Sequence, residues 1–239
     1  MSLIQYVGYE NDSLLGKAQL IAADLNLQLQ KKASSCLFLT AEKLTLKIPE
    51  FSFLAADFHA TTWKKRKSEG KKQGLVRACK PSSGIKILDA TAGWGRDAAI
   101  LASMGAQVLM VERNPVMGAL LTDALAQQTD LDKAELQLSL HLGSAHDYLA
   151  SLQPCDYPDV IYLDPMHPER SKSALVKKEM QALQQIIGSD DDVLSLLKLA
   201  ISRVRLRVVV KWPQKLTALL PSNASIAGKT VRFDLYIPA

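Results

Sequence analysis

The sequence predicts an α/β fold: a doubly wound, mostly parallel sheet with a small α+β extension before it. Three observations carry this expectation. From residue 85 onward, strand-like runs alternate with stretches of helical periodicity. Those runs are nearly all apolar, as strands buried on both faces must be. A glycine turn, Gly93-Trp-Gly95, stands between the first of these strands and the helix that follows it.

Taken in order, Asp12 or Ser13 can cap a first helix with Leu14, Ala18, Ile21 and Leu25 on its apolar face. Two short strands follow, Leu37–Leu39 and Leu44–Ile48, and the second alternates as a half-buried strand does. These elements make an N-terminal extension over residues 1–57. The main domain is assigned to residues 58–239, with a basic stretch at 63–80 that reads as a linker or lid. Within it, Ile85–Asp89 is a buried-type strand, and a helix over Asp97–Met104 ends at Gly105. Gln107–Glu112 is the next strand, and Pro115 opens another helix at its first turn. Leu136–Leu142 and Asp159–Asp164 are further strands. Ser173 can cap a helix that carries Val176, Met180, Leu183 and Ile187 and stops at Gly188; Asp190 to Asp192 can cap one more. Arg207–Lys211 is a fifth strand, and Val231, Phe233, Leu235 and Ile237 alternate in a last one.

Composition narrows the class. The chain has 239 residues, 48% of them apolar and 22% charged, which excludes global disorder and a small disulfide scaffold. Its apolar runs are far shorter than a membrane span, and its N-terminus lacks the basic start of a signal peptide. The odd set Cys36, Cys79 and Cys155, with no C-x-x-C, is expected to be reduced thiols in a cytoplasmic protein. The four histidines show no ligand spacing, so no metal site is expected. The net charge of +5 is clustered: Lys64, Lys65, Arg66, Lys67, Lys71, Lys72, Arg77 and Lys80 face a single Glu69 in their stretch. A second acid-free stretch carries Arg203, Arg205, Arg207, Lys211, Lys215, Lys229 and Arg232. Such clusters suit a polyanion, although on charge alone a solvated surface is the stronger reading.

Two motifs carry chemistry. In Asp89-Ala-Thr-Ala-Gly93-Trp-Gly95 the glycines let the backbone approach a ligand closely, and Glu112 ends the next strand, where a carboxylate can accept from a ribose diol. Gly93-x-Gly95-x-x-Ala98 also fits a dinucleotide fingerprint. Asp89 shifts the balance: at the strand end it attracts an ammonium and repels a pyrophosphate. The arrangement resembles the D-x-x-x-G-x-G motif of class I S-adenosylmethionine-dependent methyltransferases. The second motif, Asp164-Pro165-Met166-His167-Pro168, stiffens a loop at the sheet mouth and resembles the [DN]-P-P-[FY] element of amino-group methyltransferases. In that element an acid and a backbone carbonyl accept from an exocyclic amine, and an aromatic ring stacks on the base. The chemical reason is that an arylamine lone pair is delocalised; acceptors aimed at its N–H groups free it for attack. Gly143-Ser144-Ala145-His146 is a third candidate, an adenine border or a simple helix cap, with His146 read as a surface residue.

The longer segments are similar to the ribosomal RNA small subunit methyltransferase J family. The resemblance lies in Asp89–Asp97, Val111-Glu-Arg-Asn-Pro115, Tyr162-Leu-Asp-Pro-Met166, Arg207–Lys211, Arg232–Tyr236 and, most specifically, Lys172-Ser-Ala-Leu-Val-Lys-Lys-Glu-Met180. It implies a Rossmann-like fold with a final antiparallel strand, and transfer of a methyl group to N2 of guanine-1516 in 16S rRNA. Carried onto this chain, it implies cofactor contacts at Arg96 and Asp97, Glu112 and Arg113, Ser144 and Ala145, and Asp164. Beside Asp89, Gly93 and Gly95, these form the expected cofactor site; Asp164, the Pro165 carbonyl and His167 form the expected base clamp. His167 stands where the family carries Phe or Tyr, and imidazole still offers a stacking face. The target base must be flipped out to be reached. Lys64–Lys72 and the Lys211 region are expected to grip the RNA backbone, in naked rRNA or in the small ribosomal subunit. Two other classes stay open at this point: a nicotinamide-dependent dehydrogenase, and an RNA-binding assembly factor without catalysis.

Overall fold

The computed structural model describes residues 4–49, 51–166 and 192–238. In chain order the elements begin with β1 (Tyr6–Tyr9), α1 (Leu15–Asp24), β2 (Gln28–Leu29), β3 (Cys36–Leu39) and β4 (Leu44–Lys47). Next come α2 (Ala60–Glu69), α3 (Gly74–Cys79), β5 (Lys86–Asp89), α4 (Arg96–Ser103), β6 (Gln107–Glu112), α5 (Pro115–Ala126) and α6 (Asp130–Glu135). The rest are β7 (Leu138–Leu142), α7 (Ala145–Ser151), β8 (Val160–Leu163), α8 (Val193–Ile201), β9 (Arg207–Pro213), β10 (Ala224–Ala227) and β11 (Val231–Tyr236). They fall into two compact units.

One unit contains the chain up to Asp57, the segment Asn114–Gln127 with α5, and Met166. Among the described residues its four strands run in the order β2-β1-β3-β4, with β1 parallel to β2 and β3 and the β3–β4 pair antiparallel. Strands β1 and β2, absent from the sequence reading, flank α1. The cap differs from expectation: Asn11, rather than Asp12 or Ser13, accepts from the Ser13 N–H at 3.1 Å and starts a short 3-10 turn before α1. The buried face of α1 differs as well. It is Ala18 and Ala22, while Leu14, Ile21 and Leu25 are only half-buried. β4 is tied to α5 by the Leu44 N–H, which donates to Asp123 Oδ2 at 2.8 Å. Asn114 caps α5 by accepting from the Val116 and Met117 N–H groups, and Pro115 fills the first turn as expected.

The other unit holds a seven-stranded sheet in the order β10-β11-β9-β8-β5-β6-β7 among the described residues. β5 to β9 are mutually parallel; β11 is antiparallel to both β9 and β10. This is the doubly wound sheet with a reversed last strand. Every residue of β8 is buried, as are Val208, Val209 and Val210 of β9, so neither strand alternates. Leu196, Leu197 and Ala200 of α8 cover one face of this core. β10 was not foreseen: it is short and largely exposed, so it has no apolar period to read. β7 starts at Leu138 rather than Leu136 and forms the opposite edge. Asp192 precedes α8 but makes no side-chain cap bond. The helix expected from Ser173 to Gly188, the motif Lys172–Met180 and the residues His167 and Pro168 lie outside the described residues.

The basic stretch is helical rather than a linker: α2, a 3-10 turn over Gly70–Lys72 and α3 run through it almost without a break. Straight-chain Lys and Arg are good helix formers, and Trp63 anchors α2 by burying its ring while Lys64, Arg66 and Lys67 stay exposed. Asp132 pins the start of α2. It accepts from the Ala60 N–H at 2.8 Å and lies 3.2 Å from His59 Nδ1. Cys36 and Cys79 are buried free thiols and Cys155 is an exposed one. Among the described residues, no helix is long and apolar enough to cross a membrane.

Candidate active site

Chain order reverses between β5 and β8, because β6 and β7 build the sheet in one direction and β8 and β9 in the other. Ligands of such sheets bind outside the carboxyl ends of the strands at this point. Asp89 is the last residue of β5, Glu112 the last of β6, and Asp164 follows β8 directly. All three therefore arrive at one edge of the sheet.

The turn after β5 is built for close approach. Gly93 and Gly95 both have positive φ, 53° and 68°. A Cβ on Gly95 would lie 2.6 Å from Phe58 Cζ and 3.0 Å from Met110 Sδ, so only glycine fits. The turn is then fastened to its neighbours. Glu112 Oε2 accepts from the Gly93 N–H at 3.0 Å, and the Ala92 N–H donates to the Val111 carbonyl at 3.2 Å. The Gly143 N–H donates to the Glu112 carbonyl at 2.9 Å, which sets Ser144 and Ala145 beside the end of β6. Ser144 caps α7 through the Asp147 N–H, Ala145 is buried and His146 is exposed. Arg96 is exposed at the start of α4, and Arg113 stands at the rim, 3.5 Å from Asp192.

Inside this edge the side chains are acidic. Asp89 is 1% exposed, and burial pushes its carboxyl up to about 8, against the Thr91 N–H it accepts from; Asp97, Asp164 and Glu112 push in the same direction as burial. Asp97 has the opposite balance. Burial alone would raise it, but the Lys211 ammonium and the Tyr162 hydroxyl, with Arg66 of α2 further off, hold it below the usual carboxylate range. Lys211 Nζ lies 3.0 Å from Asp97 Oδ2 and 2.7 Å from Asp164 Oδ2. Burial opposes its charge, but the two acids outweigh burial and raise its affinity for the proton. The Tyr162 hydroxyl donates to Asp97 Oδ2 at 2.5 Å, and burial keeps the phenol protonated well past its usual range.

The two sequence motifs are bonded directly to each other. The Asp164 N–H donates to Thr91 Oγ1 at 2.6 Å, across 73 residues of chain. Pro165 is buried next to it. Thus Asp89, Gly93, Gly95, Asp97, Glu112, Asp164 and Pro165 lie in one unit along one sheet edge, with Ser144 and Ala145 at its side.

Sequence reasoning gave Thr91 and Tyr162 no role at this edge, and it gave Lys211 to the RNA grip. Lys211 corrects an expectation, since it turns inward to the acids instead of facing an RNA backbone. A signal for it exists. Register pairs Val210 with Leu163, so the single cation that ends the run Val208-Val209-Val210 must sit beside Asp164.

The donor set also states which ligand fits. One inward ammonium meets Asp97 and Asp164, while Asp89 and Glu112 stand at the same edge, a set of carboxyl groups that suits a cationic ligand such as the ammonium and sulfonium of S-adenosylmethionine. The same set opposes the pyrophosphate of a dinucleotide.

Comparison with known proteins agrees. The family model for SAM-dependent methyltransferases (SAM_MT) matches residues 20–238. A ribosomal RNA small subunit methyltransferase J of Legionella pneumophila (strain Lens) is 64% identical over 238 residues, covering 100% of this chain and 98% of the relative. One from Nitrosococcus oceani is 40% identical over 252 residues, covering 98% and 99%. The crystal structure of a SAM-dependent methyltransferase from Neisseria gonorrhoeae shares the fold, with a TM-score of 0.70, 24% identity, and coverage of 98% and 96%.

Proposed function

Because the chain belongs to the ribosomal RNA small subunit methyltransferase J family of SAM-dependent enzymes, we propose that it methylates a base amine of 16S rRNA, and specifically N2 of a guanine. The observation that carries this reading is the Asp164 N–H to Thr91 Oγ1 bond, which fixes the amine-binding motif against the cofactor turn. Guanine-1516 is the position the family resemblance supplies.

S-adenosylmethionine, when bound, supplies a methyl group already activated on a cationic sulfur, so no covalent nucleophile is needed. The residues of this chain then have two tasks. Asp89, Gly93, Gly95, Arg96 and Asp97 shape the methionine end, Glu112 accepts from the ribose, and Arg113, Ser144 and Ala145 border the rest of the nucleoside. Asp164 and the Pro165 carbonyl accept from the N–H groups of the flipped guanine amine. That holds the nitrogen pyramidal with its lone pair toward the methyl group, and Asp164 can take up the proton shed once nitrogen is methylated. His167 is assigned by sequence to stack on the base.

α2 supplies the RNA grip in this reading. Lys64, Arg66 and Lys67 are exposed, and Arg66 is near enough to act on Asp97, so the basic helix borders the site. Small-subunit rRNA, naked or assembled, is thus the proposed partner, and the cytoplasm the proposed compartment. The test is transfer of labelled methyl to 16S rRNA with nuclease mapping of the product. N2-methylguanine at one position is expected; label confined to protein or small molecules contradicts the proposal.

A further inference from the structure

Lys211 belongs to neither sequence motif, yet it is bonded to both. Asp97 opens the helix after the cofactor turn, Asp164 opens the base-binding loop, and the Lys211 ammonium spans them at 3.0 and 2.7 Å. The lysine is only 20% exposed and keeps its charge, so it is unsuited to accept a proton. Its use must be electrostatic and positional. Tyr162 completes the arrangement by donating to the same oxygen of Asp97 that Lys211 meets.

We infer that Lys211 is a positioning residue for methyl transfer: its ammonium holds the Asp164 carboxylate in place as an acceptor and locks it in register with Asp97 on the cofactor side. This rests on the function proposed above. The reason is the crowding of like charges. Asp89 comes from β5, Asp97 from α4, Glu112 from β6 and Asp164 from the end of β8, with Tyr162 beneath them and Arg66 approaching from α2. Take away the ammonium and a half-buried pair of carboxylates remains, whose mutual repulsion favours a proton on one of them. A carboxyl that carries that proton is a weaker, uncharged acceptor and turns one oxygen into a donor, so the amine N–H loses its charged partner and keeps only the Pro165 carbonyl at full strength.

Two variants separate charge from shape. Lys211→Met keeps length and loses charge; Lys211→Arg keeps charge and changes shape. Methyl transfer to 16S rRNA is followed against pH at saturating cofactor and RNA, with thermal melting as a check on folding. For Lys211→Met we expect kcat to fall about 100-fold at neutral pH. Its acid limb should move up by about one pH unit or more, so that alkaline pH restores part of the loss, while the KM for cofactor moves less than kcat. Lys211→Arg should lower kcat with the limb where the wild-type enzyme has it. If Lys211→Met does not fold, Asp97→Asn decides. It leaves the ammonium to Asp164 alone, so the limb should move to lower pH. An unmoved limb in Lys211→Met, or in its absence in Asp97→Asn, overturns the inference, as does a loss of rate that is uniform in pH. Absence of transfer by the wild-type chain would instead overturn the proposed function, and this inference with it.

Discussion

The two ends of the large sheet use charge in opposite ways. At the amino ends, Asp159 accepts from the Lys86 N–H at 2.8 Å and meets Arg205 at 3.9 Å, in an arrangement open enough that Arg205 is 44% exposed. Water screens such pairs, and each contributes little. At the carboxyl ends, Asp89, Glu112, Asp97, Asp164 and Lys211 are buried or half-buried, and the proton affinities of Asp89, Asp97 and Lys211 are displaced. The same strands run through both ends, so the fold tolerates charge at either. Only one end concentrates several acids around one cation, with Asp89 and Glu112 buried among them, and such a concentration is what a reaction site needs.

The contrast sets an order of expected effects. Asp164→Ala should lower methyl transfer about a thousandfold or more, because an acceptor for the reacting amine is lost, while the melting temperature stays close to wild type; a near-normal rate would remove Asp164 from the chemistry. Gly95→Ala comes next. Its Cβ would meet Phe58 at 2.6 Å in a backbone with φ of 68°, so denaturant titration should show a loss of about 1–3 kcal/mol together with weaker cofactor binding.

A pH effect follows from Asp89. Its carboxyl is raised in the folded protein to about 8, so the folded state holds a proton that the unfolded chain releases near pH 4. Its contribution to stability is full below about pH 4 and is lost as pH rises toward 8. The urea midpoint of the cofactor-free protein should therefore fall across that window, and Asp89→Asn should flatten the slope. A cationic cofactor should also displace this proton, so that calorimetry in buffers of different ionisation enthalpy reports proton release on binding. The smallest effect belongs to the other end of the sheet: Arg205→Ala should cost under about 1 kcal/mol and leave methyl transfer unchanged. A large loss of activity there would erase the distinction between the two ends.

What the sequence made legible was local. Gly93 and Gly95 announce the turn because the left-handed backbone there demands glycine, and Glu112 is readable as a strand-end acid because Gln107–Glu112 is bounded on both sides. What escaped was either long-range or aperiodic. Thr91 meets Asp164 across 73 residues and Lys211 meets Asp97 across 114, distances at which no periodicity speaks. α2 buries little beyond Trp63 toward its centre, so its helix shows as a charge run without an apolar stripe. α1 hides its buried face in the small residues Ala18 and Ala22, while the large Leu20 is 67% exposed. β10 sits at the sheet edge with Ser and Ala in place of an alternating pattern.

In the proposed function, a cationic cofactor and a base amine meet at the carboxyl edge of β5, β6 and β8. A crystal structure of the wild-type chain with S-adenosylhomocysteine tests it most directly. We expect the amino-acid end near Asp89 and the glycine turn, the ribose at Glu112, and the sulfur facing Asp164. A ligand bound at the opposite edge of the sheet, or lying with its sulfur turned away from Asp164, would rule out methyl transfer at this edge.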